Sequence, residues 1–212
     1  PIETKDMGQY FKNKAQGIDA DKILTDVIDQ KTTEKGFFGK AIDKAKGGGG
    51  EDFETARYEG FGPGGCMVIV DCLTDNATRT FNDVRLCFTK NNCKIGTQGS
   101  VSHMFDHSTI LAFKGQDEEA VLEALMLADV DVADMETEDN LVTIFAPNTD
   151  YGKAKQALTD TFGELTFEVD EIQFLPQNTT KATGEDTETL DKFLDMLNDL
   201  DDVQNVYHNV DM

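Results

Sequence analysis

Hydrophobic positions in the first half of the chain predict a strand, a helix and a second strand. Residues 66–73 are almost continuously apolar, as in a buried strand. In 77–91, the apolar residues Phe81, Val84 and Phe88 recur at helical spacing and predict a buried helix face. SVSHMF then alternates polar and apolar residues, which indicates another strand. The glycine-rich stretch RYEGFGPGG before the first strand favours a tight turn.

The second half predicts the order strand, helix, strand, strand, helix, strand. The strand TILAFKG is followed by the helix DEEAVLEALMLA and by a hairpin that turns at 138–140. The helix TDYGKAKQALTDTF and the strand ELTFEVDEIQFLP complete the series. This is the order of a ferredoxin-like α+β unit. Apolar residues in the last strand change parity near Asp170, so we expect the strand to bend there and to serve two sheets.

The C-terminal tail predicts one amphipathic helix, DTETLDKFLDMLNDL, and one closing strand, VQNVYHNV. These two elements would complete the earlier strand, helix, strand unit, so the second unit is most simply an insertion within the first. The pattern therefore predicts an α+β protein of three domains. These are a helical N-terminal module over 1–56, a discontinuous α+β domain over 57–108 and 176–212, and an inserted acidic α+β domain over 109–175.

The N-terminal residues carry short helical patterns and no targeting signal. Residues 1–46 are polar and rich in lysine, and GGGG at 47–50 ends the last helical pattern and begins a linker. The first residues have neither the apolar core of a secretory signal nor the Arg-rich character of a transit peptide. No apolar run approaches the roughly 20 residues of a membrane helix. We therefore expect a cytoplasmic protein with no membrane partner.

The net charge of −22 is distributed unevenly. Residues 57–114 carry +1 and residues 1–56 carry −2, whereas 115–176 carry −14 and 177–212 carry −7. An acidic surface repels phosphate, so any nucleic acid is expected to meet the first half of the chain.

Cysteine and histidine spacing does not indicate a metal centre. The four cysteines, at 66, 72, 87 and 93, lie in or beside apolar stretches without a C-x-x-C pair, which favours buried free thiols. His103 and His107 have no cluster of further ligands near them in the sequence. We expect no metal and no cofactor.

The glycines of RYEGFGPGG do not form a nucleotide-binding loop. A phosphate loop lies between a strand and a helix, where backbone N–H groups and the helix N-terminus both face the phosphate. Here the glycines precede a strand, which also excludes a Rossmann loop. No nucleophile, base and orienting group can be assembled from spacing. The sequence therefore does not indicate an enzyme or a small-molecule substrate.

Taken together, RYEGFGPGG, LTDNATRT and FTKNNCKIGTQGSVSHMF resemble the YebC/PmpR family. Members of that family carry YEGxGPxG, TDNxxRT, K-x-G-G-x-x-G and GSVSxMF in this order. AIDKAKGGG and VYHNV are most similar to the YeeN-like branch, and the resemblance covers about residues 38 to 212. The family usually opens with a lysine-rich segment around a tryptophan, which this sequence does not contain.

The resemblance implies a helical first domain and two ferredoxin-like α+β domains, one inserted in the other. It also implies a non-enzymatic role in gene expression. Family members are described as DNA-binding transcriptional regulators. Mitochondrial relatives are translational activators of cytochrome c oxidase subunit one, and bacterial relatives are linked to relief of ribosome stalling. The implied partner is thus DNA, or ribosomal or transfer RNA in the context of the ribosome.

Basic and hydroxyl side chains in the family motifs are the predicted contacts to nucleic acid. They are Arg57, Arg79, Thr80, Asn82, Arg85, Lys90, Lys94, Ser100 and Ser102. The loop glycines, expected to let backbone amides approach phosphate, are Gly60, Gly62, Gly64, Gly65, Gly96 and Gly99. The alternative is that Arg79 pairs with Asp75 and that the lysines are ordinary solvated charges.

Three functions stay open at this point: a ribosome-associated translation factor, a sequence-specific DNA regulator and an acidic adaptor that binds only proteins. The helix over 77–91 offers only Asn82 and Arg85 on its exposed stripe for reading bases, few for a DNA recognition helix. Structured RNA read through its backbone suits a glycine-rich surface better. We therefore favour a nucleic-acid-binding regulator whose direct target is the ribosome.

Overall fold

The structure is a computed structural model that describes residues 53–211. The expected helical module over 1–56 lies almost entirely outside the described residues. The described chain divides into two compact units. We call residues 53–106 and 175–211 the core unit, and residues 107–174 the inserted unit. The limits of the three expected domains stay a prediction.

The described part of the chain contains ten strands and four α-helices. They are β1 (Glu54–Phe61), β2 (Met67–Thr74), α1 (Ala77–Lys90), β3 (Lys94–Ile95), β4 (Phe105–Lys114), α2 (Glu118–Leu127), β5 (Asp134–Glu138), β6 (Leu141–Pro147), α3 (Tyr151–Phe162), β7 (Phe167–Pro176), β8 (Thr180–Lys181), α4 (Glu185–Asn198), β9 (Val203–His208) and β10 (Val210–Asp211). Short 3-10 turns lie at Pro63–Gly65, Ser102–Met104 and Asn148–Asp150. None of the helices in this part of the chain is long and apolar enough to cross a membrane.

The core unit is an antiparallel sheet covered on one face by α1 and α4. Its strand order is β3-β1-β2-β9, and β8 pairs with β10 in a separate parallel ribbon. Alternate residues of β2 pack under the helices together with Val84, Phe88 and Phe193. The Phe88 and Phe193 rings meet edge to face with centroids 4.8 Å apart. Pairing of β9 with β2 is the arrangement expected for the C-terminal strand.

The inserted unit has the ferredoxin-like strand order β5-β6-β4-β7. Leu125 of α2 and Leu158 of α3 pack on one face of this sheet. The β5–β6 hairpin turns where the sequence predicts, because Asp139 and Asn140 adopt the left-handed φ values of 46° and 64° that a tight hairpin turn requires. The two antiparallel sheets with their helices confirm the α+β class.

Strand positions around the glycine-rich motifs differ from the sequence prediction. SVSHMF is not a strand, because Ser102–Met104 forms a 3-10 turn and β4 begins at Phe105. The N–H groups of this turn region donate to the carboxylate of Glu59 instead of to a neighbouring strand. RYEGF is part of β1, and the tight turn is confined to Pro63–Gly65.

The expected sharing of β7 between two sheets is also wrong. It is one continuous strand of the inserted sheet and lies at the edge of that sheet, beside β4. The change of apolar parity near Asp170 has a local explanation. Asp170 accepts hydrogen bonds from the Tyr151 hydroxyl at 2.8 Å and from the Lys155 ammonium at 2.6 Å, so α3 holds a polar residue on this strand.

All four cysteines are free, as predicted. Cys66, Cys72 and Cys87 are buried, whereas Cys93 is half-buried. Burial raises the pKa of Cys66 and of Cys93 to about 11 and also raises the pKa of Cys87. Only a small fraction of these thiols is therefore ionised at neutral pH.

Native thiol labelling tests this packing. We expect Cys93 to react first, though more slowly than an unstructured cysteine, and the three buried thiols to react only when the fold opens. Peptide mapping by mass spectrometry after timed alkylation measures the order. Cys93→Ser is the control and should remove the earliest label. Labelling of Cys66 or Cys72 as fast as Cys93 in native buffer would contradict the structure.

Candidate nucleic-acid interface

The start of α1 is held by a carboxylate from the far end of the core unit. Arg79 Nη2 donates to Asp202 Oδ2 at 2.7 Å, and the Thr80 hydroxyl donates to the same oxygen at 2.7 Å. The Thr74 hydroxyl at the end of β2 lies 3.3 Å from that oxygen. Asn76 caps the helix through its side-chain oxygen, which accepts from the backbone N–H of Arg79 at 3.1 Å. One carboxylate thus connects β2, α1 and the residues before β9.

Arg79 and Thr80 are therefore engaged within the protein. Arg79 also donates to Asp75 at 2.7 Å, which is the pairing that the alternative interpretation expected. Hydrogen bonds to Asp202 and Asp75 raise the pKa of Arg79 above its ordinary value. Thr80 is 1% exposed, so its side chain does not reach the surface. We remove Thr80 from the candidate contacts, because contact would require the helix start to open.

A second carboxylate, Glu59 of β1, holds the loop before β4. Its side chain is 2% exposed and accepts backbone hydrogen bonds from Gly99 at 2.8 Å, Val101 at 2.8 Å and Ser102 at 2.9 Å. The Ser102 hydroxyl also hydrogen-bonds to it. Burial acts to raise the pKa of Glu59, but these hydrogen bonds outweigh burial and the pKa is lowered. The YEG and GSVS motifs are thereby joined to each other.

Most of the glycine amides are also used inside the core unit. Backbone N–H groups of Gly62, Gly65, Gly96 and Gly99 donate to Cys66, Gly62 or Glu59. Of the six predicted loop glycines, only Gly64, Gly65 and Gly99 have positive φ. Gly60 lies inside β1, where a Cβ would come within 2.5 Å of the Phe88 ring. The backbone amides of Gly62, Gly65, Gly96 and Gly99 therefore donate within the protein, whereas the sequence predicts amides that face outward.

Arg57 and the two serines are likewise placed by internal contacts. Arg57 Nε donates to Asp71 Oδ1 on β2 at 2.6 Å, directly across the strand pair. Ser102 begins the 3-10 turn, and the Ser100 hydroxyl is buried beside Gly96. The sequence predicts a strand at SVSHMF, in which both serines would face the same side. The structure has a turn there, so the two serines do not share a strand face.

Three predicted cations have no carboxylate partner in the described part of the chain. Arg85, Lys90 and Lys94 are exposed and make no salt bridge to any residue within 53–211. Arg85 and Lys90 are five positions apart on α1, which places them about 140° apart around the helix axis. Lys90 follows Cys87, whose side chain contacts Met196 of α4. The predicted basic group is thus divided over two sides of α1.

The side of α1 that carries Arg85 lies over β1 and β3. Phe81, one turn before Arg85, packs against Tyr58 of β1 with ring centroids 5.9 Å apart. Lys94 of β3 pairs directly with Phe61 of β1. We call the exposed side chains of α1 here the edge surface: Phe81, Asn82 and Arg85. Phe61 and Lys94 lie on the opposite face of the sheet, because the neighbouring position Gly60 faces Phe88 of α1.

Phe81 is the residue of this surface that the sequence misplaced. Helical spacing predicted a buried side chain, but Phe81 is 39% exposed while Val84 and Phe88 are fully buried. Thr80 and Cys87 occupy the buried face instead. The hydrogen bond between Thr80 and Asp202 places Thr80 on the buried face of α1 and leaves Phe81 outside it. The spacing of apolar residues gives no indication of this polar contact.

The surroundings of Arg79 are acidic. A cleft beside it is lined by five aspartates, at 75, 83, 199, 201 and 202. Their negative charge repels phosphate, and Arg79 itself is paired with two of them. No group of three metal-ligating side chains is found in residues 53–211.

The chain is similar in sequence and in fold to known proteins. The sequence model described as the TACO1/YebC second and third domain matches residues 53–210. A probable transcriptional regulatory protein of Marinomonas sp. strain MWYL1 is 70% identical over 191 residues, which cover 90% of this chain and 76% of the relative. One from Marinobacter nauticus is 62% identical over 208 residues, covering 96% and 86%. The crystal structure of a conserved hypothetical protein from Aquifex aeolicus matches with a TM-score of 0.60 and 30% identity, over 76% of this chain and 66% of that one.

Replacement of Glu59 tests the buried carboxylate. We expect Glu59→Gln to lower the free energy of unfolding by about 2 to 4 kcal/mol, because its amide group would face backbone donors with a donor of its own. Glu54→Gln, on an exposed position of the same strand, is the control and should change it by less than about 0.5 kcal/mol. Urea unfolding measures both.

The loss of stability caused by Glu59→Gln is expected to depend on pH. Because the pKa of Glu59 is lowered from 4.5 in the folded protein, the unfolded chain takes up the proton first as pH falls. The stability that Glu59 contributes is complete above pH 4.5 and is lost as pH falls through the lower folded pKa. The difference between wild type and Glu59→Gln should therefore shrink at acid pH. A difference that stays constant would contradict the assigned charge.

Proposed function

This chain belongs to the TACO1/YebC family, and we propose that it regulates gene expression by binding nucleic acid, without catalysing a reaction. The names of its relatives from Marinomonas and Marinobacter, probable transcriptional regulatory proteins, support a regulatory role. We place this role in the cytoplasm, with no membrane and no small-molecule substrate as partner.

The observation that carries the proposal is the contrast between paired and unpaired cations in the core unit. Arg57 and Arg79 are each bound to carboxylates, whereas Arg85, Lys90 and Lys94 have no salt bridge in residues 53–211. In a chain with a net charge of −22, a phosphate is attracted most strongly to cations that are not neutralised by a nearby carboxylate. Lys181 and Lys192 also lack a described salt bridge, but they lie in the acidic segment 177–212, whereas residues 57–114 carry +1. The contact set that we propose is therefore Arg85, Lys90 and Lys94, with Asn82 beside Arg85.

We propose structured RNA, as found in the ribosome, as the direct target. The exposed part of α1 presents few side chains that read bases well, and α1 is packed along the sheet rather than standing free as a recognition helix. RNA recognition relies more on backbone, loops and shape. A translation factor that relieves ribosome stalling fits this surface better than a sequence-specific DNA regulator.

The inserted unit favours a second candidate function, that of an acidic adaptor for a basic protein. All three lysines of residues 107–174 are paired with carboxylates: Lys114 with Glu168, Lys153 with Asp150 and Lys155 with Asp170. The unit thus presents a large excess of acidic side chains. A basic ribosomal protein would be attracted to this unit, whereas RNA would be repelled.

Charge reversal separates the two functions. We expect Arg85→Glu combined with Lys94→Glu to weaken binding to structured RNA and to ribosomes, because two phosphate contacts become repulsive. If three phosphates are contacted, log K of the wild type should fall with log salt at a slope of about −2 to −3, and that of the variant less steeply. Filter binding at several salt concentrations and ribosome co-sedimentation measure this.

The matched control reverses two other exposed lysines of the core unit, Lys181→Glu with Lys192→Glu, and changes the net charge equally. Binding should be nearly unchanged in this control, beyond a small effect of the total charge. Equal losses in both double variants would mean that net charge alone acts. Unchanged ribosome binding in both, with no binding to RNA, would support the adaptor instead.

A further inference from the structure

The core unit places an exposed aromatic ring beside a cation without a described salt bridge in two places, which lie on opposite faces of its sheet. Phe81 is 39% exposed on α1, and Arg85 follows one helical turn later on the same side. Phe61 is 38% exposed on β1, and Lys94 lies directly opposite it on β3. Each exposed ring therefore has as its neighbour a cation without a salt bridge to any residue of 53–211. This arrangement is chemically specific, because nucleotides offer a flat base and a phosphate side by side.

Phe81 has the support that a stacking residue needs. Its ring rests against Tyr58 at 5.9 Å between centroids, with the two planes inclined by 46°. Tyr58 is held in turn by a hydrogen bond from its hydroxyl to the carbonyl of Ala77 at 3.3 Å. The Phe81 ring is thus backed by a fixed neighbour on one side while a large part of it faces solvent. An incoming base would not have to order the ring first.

We propose that the edge surface binds an unpaired nucleotide segment, with a base stacked on Phe81 and an adjacent phosphate contacted by Arg85. The inference rests on the proposed nucleic-acid binding and specifies which form of nucleic acid is bound. Bases within a duplex are already stacked and paired, so an aromatic ring on a helix surface reaches only splayed or single-stranded bases. The expected ligand is therefore a loop, a bulge or a single strand.

The chain offers a direct reporter for this stacking, because it contains no tryptophan. Phe81→Trp places one indole at the position in question, and its fluorescence reports whether a base lies on it. The probes are single-stranded RNA of about 12 nucleotides, enough to span one single-strand site, the single-stranded DNA of the same sequence, the corresponding RNA duplex and the single-stranded RNA with abasic sites. We expect saturable quenching with the single strands, and little with the duplex or the abasic strand at equal occupancy.

Affinity measurements complete the test. Phe81→Leu keeps an apolar side chain but removes the aromatic face, and should weaken binding to single-stranded RNA by about 5- to 150-fold, the usual range for loss of one stacked base. Phe81→Tyr should retain binding. Leu127→Ala is the control: Leu127 is 79% exposed at the end of α2 in the inserted unit and belongs to none of the proposed contacts, so binding should not change. Thermal melting checks that each variant is folded.

The outcomes separate this inference from the proposed function. If Phe81→Leu binds single-stranded RNA like the wild type while Arg85→Glu with Lys94→Glu does not, the phosphate contacts hold and the stacking inference is overturned. The same conclusion follows if duplex RNA quenches the indole of the Phe81→Trp variant as well as the single strand does. If the wild type binds no nucleic acid and the indole fluorescence responds to none of the probes, both proposals are overturned, and a protein partner for the surface is favoured instead.

Discussion

The carboxylate of Asp202 is the contact on which the core unit depends. It receives hydrogen bonds from Arg79 and Thr80, which precede it by 123 and 122 positions, and thereby joins two chain segments separated by the whole inserted unit. A buried carboxylate is tolerated only when donors surround it, and its donors in turn fix the start of α1. Without this contact, the first turn of α1 would lose its hydrogen bonds to the C-terminal segment, whereas the end of β2 would keep its backbone hydrogen bond from Leu73 to Asp202.

Glu59 repeats the same principle at the other end of the sheet. Its carboxylate holds three backbone N–H groups of the loop before β4, which have no strand partner. Glu59 lies within the motif RYEGFGPGG, and Asp202 binds Arg79 and Thr80 of the motif LTDNATRT. These motifs therefore encode polar contacts inside the fold, and they also orient α1 and β3. Phe81, Arg85, Lys90 and Lys94 are exposed and lie outside this network.

The sequence predicted the regular elements well where the signal is local. The helix expected over 77–91 is α1, and the hairpin turn at 138–140 falls at Asp139 and Asn140, because capping and turn preferences act over a few residues. The C-terminal helix and strand were assigned to the first sheet because they had no other partner. Contacts between distant residues were missed, since nothing in the order of residues links Glu59 to 99–102 or Thr80 to Asp202. For that reason the sequence predicts Thr80 at the surface and Phe81 in the core, whereas the structure places them the other way round.

The proposed division of roles is the central claim: Arg79 stabilises the fold, and we propose Arg85 and Lys94 as contacts to nucleic acid. A double-mutant cycle with Arg79→Gln and Asp202→Asn tests it most directly, with unfolding free energy and RNA affinity measured on each folded variant. We expect strongly non-additive losses of stability, because both changes break one contact, and an RNA affinity per folded molecule that stays near the wild-type value. Additive stability changes, together with a loss of RNA affinity in Arg79→Gln alone, would contradict it.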